Sequence, residues 1–429
     1  MGKVSKEIKF VFIAILLLSG CSISVDQTTL DFGSTETEKT FYLEVKGALK
    51  WSIEADKDWV VVEPSEGSKS TSVKVNVKRT GLVEGAYESK LSVQTNSKVS
   101  TPIVTVKMSV ANITSIEYEY TEFLPDGWTG ANTGFFFFVK GINDNGEVVG
   151  YGINANGVYH GFIYSNGEFT ELGAPEGWHD YVEAIAINNN GEVLGNGMKE
   201  VGILQGFMYS NGNYTDLLPD GWKEAAARDM NDSGEVVGNG INANGVKVGF
   251  LYSNGNYTEL MPNWWIDADV LNINNNGEVV GIGLNGVTES NFYIYSNGNY
   301  TELPLPLGFN NYMIRGLDLN DNGDLLVRLS LVTSHGFGPL KSLIYSNGNY
   351  KEILPPGLEY FEATAINNNG EAIGNGYGKA FIYTGGKYRE VTPPAGWESF
   401  GVADINDYGV ITGYFSFNSE NKGFIAVPK

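Results

Sequence analysis

Acidic side chains recur at fixed places in a repeated pattern, and they are the residues here most suited to acid–base chemistry. Two sets of acids stand near a recurring asparagine: Asp229, Asp318 and Asp404 two residues before it, and Glu183, Asp269 and Glu362 near the start of the strand that carries it. Glycoside hydrolysis uses two carboxyl groups held about 5–10 Å apart. Acids that are solvated, or that hydrogen-bond to the main chain of a turn, would show the same pattern. We therefore assign no catalytic residue.

Metal and cofactor chemistry finds little support. The three histidines, His160, His179 and His335, fall in separate repeats without a partner at ligand spacing. Turns such as Asp144-Asn145-Gly146 lack the alternating oxygen ligands of a calcium loop. The sequence also lacks a Gly-x-Ser-x-Gly elbow and a phosphate loop. We therefore expect no metal and no cofactor, and a protein that binds rather than catalyses.

The N-terminus predicts a lipid anchor. Three lysines precede the apolar run Phe10 to Leu18, which suits a signal peptide and is too short to span a bilayer. The run ends in Leu18-Ser19-Gly20-Cys21, which resembles a bacterial lipobox. We expect residues 1–20 to be removed, residues 21–23 to form the lipidated N-terminus, and Cys21 to hold the protein on the cell envelope, facing outward or into the periplasm. A plain secretory signal is the alternative. Cys21 is the single cysteine, so no disulfide is possible.

Aromatic side chains recur in one loop of each repeat and are candidate platforms for sugar rings. The recurring candidates are Trp128, Trp178, Trp222, Trp264, Trp265, Phe309 and Trp397, and the non-repeated loop candidates are His179, Tyr312 and His335. A residue repeated at one place also suits packing between neighbouring repeats. Both interpretations stay open from the sequence alone.

Two hairpin signatures alternate along residues 117–429. The first is an apolar residue, Asn, two residues and Gly, and its asparagines lie 45, 43, 43, 46, 47 and 39 residues apart: Asn143, Asn188, Asn231, Asn274, Asn320, Asn367 and Asn406. The second is Tyr-Ser-Asn-Gly followed by alternating residues, as at 164–172. Asn-Gly tolerates the positive φ of tight hairpin turns. Two hairpins make four strands, A to D, the size of one propeller blade.

The number of strands predicts how the repeats close. The seventh repeat ends at Val427 without a fourth strand, while residues 120–128 match residues 214–222, which contain strand D of an earlier repeat. We therefore expect the first strand to complete the last blade, which pairs two otherwise exposed edges. The prediction is a closed seven-bladed β-propeller over 117–429. Its A–B and C–D turns form one face, and its B–C turns and D–A loops form a variable face where binding residues tend to lie.

Residues 24–111 predict a smaller all-β domain. Segments such as 72–77 and 90–94 alternate apolar and polar residues, as half-buried strands do, and Pro64 to Gly67 marks a turn. An immunoglobulin-like β-sandwich without its disulfide fits this pattern. Residues 112–116 are expected to be a linker.

Both parts resemble known families. Trp51-Ser52-Ile53, Asp58-Trp59 and Glu63-Pro64-Ser65-Glu66-Gly67 resemble a BACON domain, which implies a surface protein and a possible carbohydrate contact through Trp51 and Trp59. Tryptophans at such positions more often belong to the core, and that alternative stays open. The Ile-Asn-x-x-Gly-x-Val-x-Gly signature resembles HAF-type extracellular repeats. Gly-Phe replaces much of the His-Ala-Phe that names this family, so that match is partial. The resemblance implies export and fold and says little about activity.

The charge of the chain limits its partners. A formal net charge of −22 repels phosphates, so we expect no nucleic-acid binding. The sequence therefore predicts an all-β cell-surface lipoprotein that binds a glycan or a surface or secreted protein at the variable face. Two alternatives stay open: a structural or adhesion scaffold, and a carbohydrate-active enzyme at the channel mouth.

Overall fold

The computed structural model contains only β-strands as regular elements in the residues that it describes. These are residues 21–33, 36–78, 85–110, 113–128, 137–262, 265–284, 290–305, 308–309, 312–333, 336–418 and 420–429. They form 38 strands that divide into two units after Val110. The division lies close to the predicted boundary after residue 111.

The first unit packs two sheets around one apolar core. Its strands are β1 (Ser22–Val25), β2 (Thr29–Asp31), β3 (Glu38–Lys46), β4 (Trp51–Ala55), β5 (Val60–Glu63), β6 (Glu66–Gly67), β7 (Thr71–Val77), β8 (Gly85–Thr95) and β9 (Ile103–Val110). One sheet has the order β1-β3-β7-β5 and the other β2-β9-β8-β4-β6. β1 begins two residues before the predicted start of this domain.

The two tryptophans of the first unit belong to its core. Trp51 is 4% exposed and Trp59 is 6% exposed, and the indole N–H of Trp51 donates to the carbonyl of Lys69. Neither presents a free ring face, so the possible carbohydrate contact through them was wrong.

The second unit consists of seven antiparallel groups of four strands, here called repeats one to seven. Its strands are β10 (Ile113–Ile116), β11 (Tyr118–Phe123), β12 (Phe137–Ile142), β13 (Val148–Ile153), β14 (Tyr159–Ser165), β15 (Glu168–Leu172), β16 (His179–Ile187), β17 (Val193–Glu200), β18 (Ile203–Ser210), β19 (Asn213–Leu217), β20 (Glu224–Met230), β21 (Val236–Ile241), β22 (Lys247–Ser253), β23 (Asn256–Leu260), β24 (Asp267–Ile273), β25 (Val279–Leu284), β26 (Ser290–Ser296), β27 (Asn299–Leu303), β28 (Tyr312–Leu319), β29 (Leu325–Thr333), β30 (Gly336–Ser346), β31 (Asn349–Ile353), β32 (Glu362–Ile366), β33 (Ala372–Gly376), β34 (Lys379–Thr384), β35 (Lys387–Val391), β36 (Phe400–Ile405), β37 (Ile411–Phe417) and β38 (Glu420–Pro428). Repeats one to six run from β12 to β35, four strands at a time, and repeat seven is β36, β37, β38 and β11.

The pairing predicted between the two ends of this unit is confirmed. β11 runs antiparallel to β38, with Tyr120 opposite Ala426 and Glu122 opposite Phe424. Residues 112–116 were predicted to be a linker. Ile113–Ile116 instead form β10, which pairs in parallel with β35 of repeat six. Hydrogen bonding to a free strand edge explains why this short segment is ordered as a strand.

The two kinds of turn differ in their backbone. In the C–D turns both central residues have positive φ, as at Asn166 (52°) and Gly167 (88°), which is the pattern of a two-residue type I′ hairpin. In the A–B turns only the glycine does, as at Gly146 (77°), and its N–H donates to the carbonyl of Asn143. The backbone angle of the asparagine therefore does not explain why asparagine recurs in the A–B turns.

That reason is a cycle of hydrogen bonds between repeats. The side-chain amide of each repeated asparagine donates to the main-chain carbonyl of the equivalent asparagine in the next repeat, over 2.9 to 3.2 Å. Asn406 of repeat seven donates to Asn143 of repeat one, so the cycle has no free end. Each amide oxygen also accepts two N–H groups of its own turn, as Asn231 does from Ser233 and Glu235.

A second cycle uses the residue after each asparagine. Its main-chain N–H donates to the side-chain oxygen of its counterpart in the next repeat, over 2.7 to 2.9 Å. The members alternate between acid and amide: Asp144, Asn189, Asp232, Asn275, Asp321, Asn368 and Asp407. The face made by these turns therefore uses its repeated side chains to join repeats.

Removing one amide of the first cycle should destabilise the protein. Asn231→Ala deletes two donated and two accepted bonds at a buried site, and we expect a loss of about 2–4 kcal/mol in the free energy of unfolding. Urea unfolding measures this loss. The matched control is Asn244→Ala, in an exposed B–C turn, where a change within about 0.5 kcal/mol is expected. Equal losses in the two variants would contradict the structural role of the amide.

Candidate functional site

The A strands of all seven repeats line a central cavity of about 210 Å³ next to the A–B turns. Three of the acids that repeat in the sequence lie in or beside this cavity: Asp229, Asp318 and Asp404. Each accepts the main-chain N–H of an apolar residue in the next repeat around the cycle, at 2.8 to 3.0 Å. Asn272 does the same for the N–H of Leu319. These acids therefore join repeats, which gives them a structural role in place of the catalytic one considered from the sequence.

The environment of these carboxyls favours the protonated form. Each is half-buried; Asp229 and Asp318 line the cavity, and Asp404 precedes Ile405, which lines it. Burial raises the pKa of Asp229 to about 8 and that of Asp404 to about 7, and it also raises the pKa of Asp318. The charge of Asp318 adds to the increase at the other two, whereas main-chain N–H donors oppose it.

Stability should therefore fall as the pH rises from 5 to 8. An unfolded aspartate has a pKa of about 3.9, so in this range the folded state keeps protons that the unfolded state has released. Asp229→Asn keeps an oxygen for the N–H of Ile273 and removes the charge. We expect the variant to lose less stability than the parent between pH 5 and pH 8, measured by urea unfolding at both.

The control for this test is Asp220→Asn, an exposed acid in a D–A loop. It should show the pH dependence of the parent. A parent protein that becomes more stable between pH 5 and pH 8, or an Asp229→Asn variant that declines as steeply as the parent, would contradict the assignment.

The recurring tryptophans are positioned by a tight turn in the D–A loops. The N–H of each turn's last residue donates to the carbonyl of a proline three residues earlier, as from Trp222 to Pro219 at 3.0 Å. Before Trp128, Trp178, Trp222 and Trp397 stands a glycine with positive φ, 78° at Gly221. The indole then lies over a glycine of strand B, where a Cβ at Gly240 would be 2.8 Å from the Trp222 ring. Its edge meets an aromatic ring of strand C, Phe250, at a centroid distance of 5.9 Å.

This packing corrects the interpretation of these residues as sugar platforms. Trp128 is 8% exposed and Trp265 is 4% exposed, so both are buried and the assignment was wrong for them. Trp178, Trp222 and Trp397 are half-buried within their repeats. Trp397 stacks on Phe415 with ring centroids 3.5 Å apart, and one of its faces is therefore covered. A ring of open indole faces is thus not what these loops present.

The remaining candidate binding residues differ in their surroundings. Phe309 and Tyr312 pack on each other at 5.0 Å and belong to the surroundings of one core cluster. His179 is exposed at the start of β16. Trp264 and His335 lie outside the described residues, so their predictions stay untested.

Exposed apolar side chains concentrate on the variable face. Eleven large hydrophobic side chains are exposed in the described part of the second unit, and eight of these lie in or next to its B–C turns and D–A loops: Val201, Leu204, Val246, Ile266, Met313, Val332, Tyr377 and Phe417. Val201 is 83% exposed and Ile266 is 65% exposed. All eight lie at the same end of the strands, in repeats two to seven, so this face offers more apolar surface to a partner than the A–B turn face does.

A row of aromatic rings lies between repeats one and two on the same face. Ring centroids are 5.0 Å apart from Phe138 to Tyr151, 6.4 Å from Tyr151 to Tyr159 and 5.6 Å from Tyr159 to Tyr181. All four side chains are half-buried. The hydroxyl of Tyr181 donates to the carboxylate of Glu183. We call this group the aromatic cleft.

The sequence interpretation missed most of this cleft, although a signal for it was present. Tyr151 stands eight residues after the repeated asparagine, where repeats two, three and six have Asn196, Asn239 and Asn375 and repeats four, five and seven have Ile282, Arg328 and Tyr414, so this position varies among the repeats. Of these residues, only Glu183 is named in the sequence analysis.

An ionic cluster borders the cleft. His160 lies between the carboxylates of Glu171 and Asp180, and thereby links repeat one to the first strand of repeat two. Hydrogen bonds to both acids raise the pKa of His160 even though burial opposes this. The amide of Asn154 donates to Glu171 at 2.8 Å and helps to hold the cluster.

In the described part of the chain, no three His, Cys, Asp or Glu side chains come together in a way that could hold a metal ion. Nor does that part contain a helix with the length and hydrophobicity needed to span a membrane.

Comparison with known proteins supports the predicted resemblance for the first unit. Residues 22–116 match the family model of the viral BACON domain, which confirms the BACON likeness there. No curated protein matches the chain.

Solved structures that resemble the chain include β-propellers. One is the β-propeller domain of the Trilobed protease from Pyrococcus furiosus, at 11% identity and a TM-score of 0.46, covering 69% of this chain and 94% of that one. Another is TolB from Acinetobacter baumannii, at 11% identity and a TM-score of 0.39, covering 81% and 77%. A third is the SapL1 lectin in complex with α-methyl fucoside, at 11% identity and a TM-score of 0.38, covering 61% and 98%.

Proposed function

We propose that this protein is an exported, lipid-anchored binding protein without catalytic activity. In this proposal the second unit is a closed seven-bladed β-propeller of HAF-like repeats, and the first is an immunoglobulin-like sandwich that follows the lipid anchor. A glycan, or a surface or secreted protein, binds the variable face. The cycle of seven asparagine bonds and the β11–β38 pairing support the closed ring. The two facing sheets of the first unit support the sandwich.

The observation that carries the proposal is the chemical difference between the two faces. On the A–B turn face, the repeated amides and acids bond one another from repeat to repeat. The variable face instead exposes apolar side chains such as Val201, Val246 and Ile266. A face whose polar groups are already bonded has little left for a ligand, whereas exposed apolar surface gains from being covered.

Replacing exposed apolar side chains by glutamate, first on one face and then on the other, tests this proposal. A variant with Val201→Glu, Val246→Glu and Ile266→Glu should lose binding to the ligand, because three carboxylates would have to be desolvated at the contact. The measurement is capture of surface polysaccharides and secreted proteins by the immobilised full-length protein. We expect at least a tenfold loss in the captured species.

Tyr408→Glu is the matched control. Tyr408 is 72% exposed, but it lies in an A–B turn on the opposite face. It should leave capture unchanged, with the thermal midpoints of both variants close to that of the parent. If only Tyr408→Glu loses capture, the ligand binds the A–B turn face and the proposal is rejected. Capture of nothing by the parent protein would favour the scaffold alternative.

The lipid anchor rests on the sequence Leu18-Ser19-Gly20-Cys21 and on the position of the cysteine. Cys21 is half-buried at the edge of the first unit's core, immediately before β1. An acylated Cys21 would therefore hold this unit close to the membrane with almost no free tether. Ser22 follows the anchor, and the outward or periplasmic location belongs to the same proposal.

Cys21→Ser tests the anchor directly. Because a hydroxyl does not form the thioether to diacylglycerol, the variant should move from the membrane fraction to the soluble fraction of the exporting cell. Intact-mass spectrometry of the parent should show the added lipid, which the variant should lack. A parent protein of unmodified mass in the soluble fraction would reject the anchor and leave the binding role intact.

A further inference from the structure

We propose that the aromatic cleft between repeats one and two is the subsite that holds one sugar ring of a neutral glycan. This inference deepens the binding function proposed above and rests on it. The tryptophans considered first are packed, so an aromatic site for a sugar must be sought elsewhere on this face. The cleft is the place where four half-buried aromatic rings and two charged groups come together.

The aromatic cleft lies at a junction that lacks a side-chain clamp found at three others. At three other junctions, an asparagine of strand B grips strand A of the next repeat through both its donor and its acceptor. Asn196 donates to the carbonyl of Ala227 at 3.1 Å and accepts the N–H of Ala227 at 2.8 Å. Asn239 and Asn375 do the same at their junctions. Tyr151 takes this position at the junction of repeats one and two, where its half-buried ring lines the cleft.

The polar groups of the cleft suit sugar hydroxyls. The carboxylate of Glu183 accepts the hydroxyl of Tyr181 and also interacts with that of Tyr151. Burial, together with the charge of Glu183, raises the pKa of Tyr151 to about 12, so this phenol keeps its proton at neutral pH. The phenols and the carboxylate can therefore donate to and accept from the hydroxyls of a sugar. Aromatic rings supply the apolar surface for its C–H groups.

The charges of the cleft narrow the ligand class. The ammonium of Lys140 lies 5.8 Å from the ring centroid of Phe138 and 5.4 Å from that of Tyr151. It occupies the place that an organic cation would take on these rings. The carboxylate of Glu183 and the guanidinium of Arg328 both act on this ammonium, so charges of both signs already face one another here. A neutral polyhydroxylated ring can bind beside them without bringing a charge of its own.

Repeat six provides a natural comparison. Tyr360 and Glu362 stand where repeat two has Tyr181 and Glu183, on the same face. That junction is sealed, because the hydroxyl of Ser342 donates to the carbonyl of Phe361 at 2.8 Å and accepts the N–H of Ala363 at 2.9 Å. The two positions thus share a Tyr-x-Glu sequence and differ in whether the junction beside them is clamped.

The experiment uses the full-length protein in detergent with two probes, a glycan array and saturation-transfer NMR with methyl glycosides of glucose, galactose, mannose, fucose and N-acetylglucosamine. We expect the parent to bind at least one neutral glycan. Tyr181→Ala and Glu183→Gln should each weaken this binding at least tenfold. The matched variants Tyr360→Ala and Glu362→Gln should change it less than twofold. Thermal midpoints establish that all four variants fold.

Each outcome decides the inference. Glycan binding that survives in Tyr181→Ala and Glu183→Gln would overturn the cleft as the subsite and leave the binding function standing. A parent that binds only charged glycans, or no glycan at all, would also overturn it. In that last case the capture experiment with the Val201, Val246 and Ile266 variant still decides whether the face binds a protein.

Discussion

The second unit depends on one hydrogen bond, donated by the side-chain amide of a repeated asparagine to the main chain of the next repeat. Asn406 returns the bond to Asn143, so each repeat is held from both sides. Only an amide fits this position, because its oxygen accepts turn N–H groups while its nitrogen donates across the junction. The groups are buried, where an unpaired donor or acceptor is costly, so the loss of one amide disturbs two repeats.

The residue after this asparagine shows how an odd number of repeats limits a regular pattern. Aspartate and asparagine alternate, so that amide nitrogens lie between carboxylates. Seven members cannot alternate completely, and Asp407 and Asp144 are therefore neighbours. There the main-chain N–H of Asp407 donates to the Asp144 carboxylate. The same cavity contains the half-buried acids of the A strands, whose raised pKa values keep this interior from accumulating full negative charge.

Repetition and departure from repetition have different meanings in this molecule. Tryptophan recurs in the D–A loops because its ring packs over strand B, on a glycine at Trp178, Trp222 and Trp265 and on Phe415 at Trp397. Tyr151 stands where three repeats have a clamping asparagine, and its ring packs against those of Phe138 and Tyr159. Positions that differ among the repeats can therefore serve purposes other than joining repeats. The variable face combines such departures with exposed apolar residues, while the opposite face is occupied by its own hydrogen bonds.

The sequence by itself determined the all-β class, the spacing of the repeats, the Asn-Gly turns and the pairing of residues near Tyr120 with those near Phe424. These follow from local backbone preferences and from counting strands. The tertiary structure alone decided that the Trp128 and Trp265 rings are buried, that Ile113–Ile116 pair with β35, and that Tyr151 meets Tyr159 near Tyr181 and Glu183. Exposure and contacts across a junction depend on side chains from different repeats, and the local pattern of one repeat contains no information about its neighbour's surface.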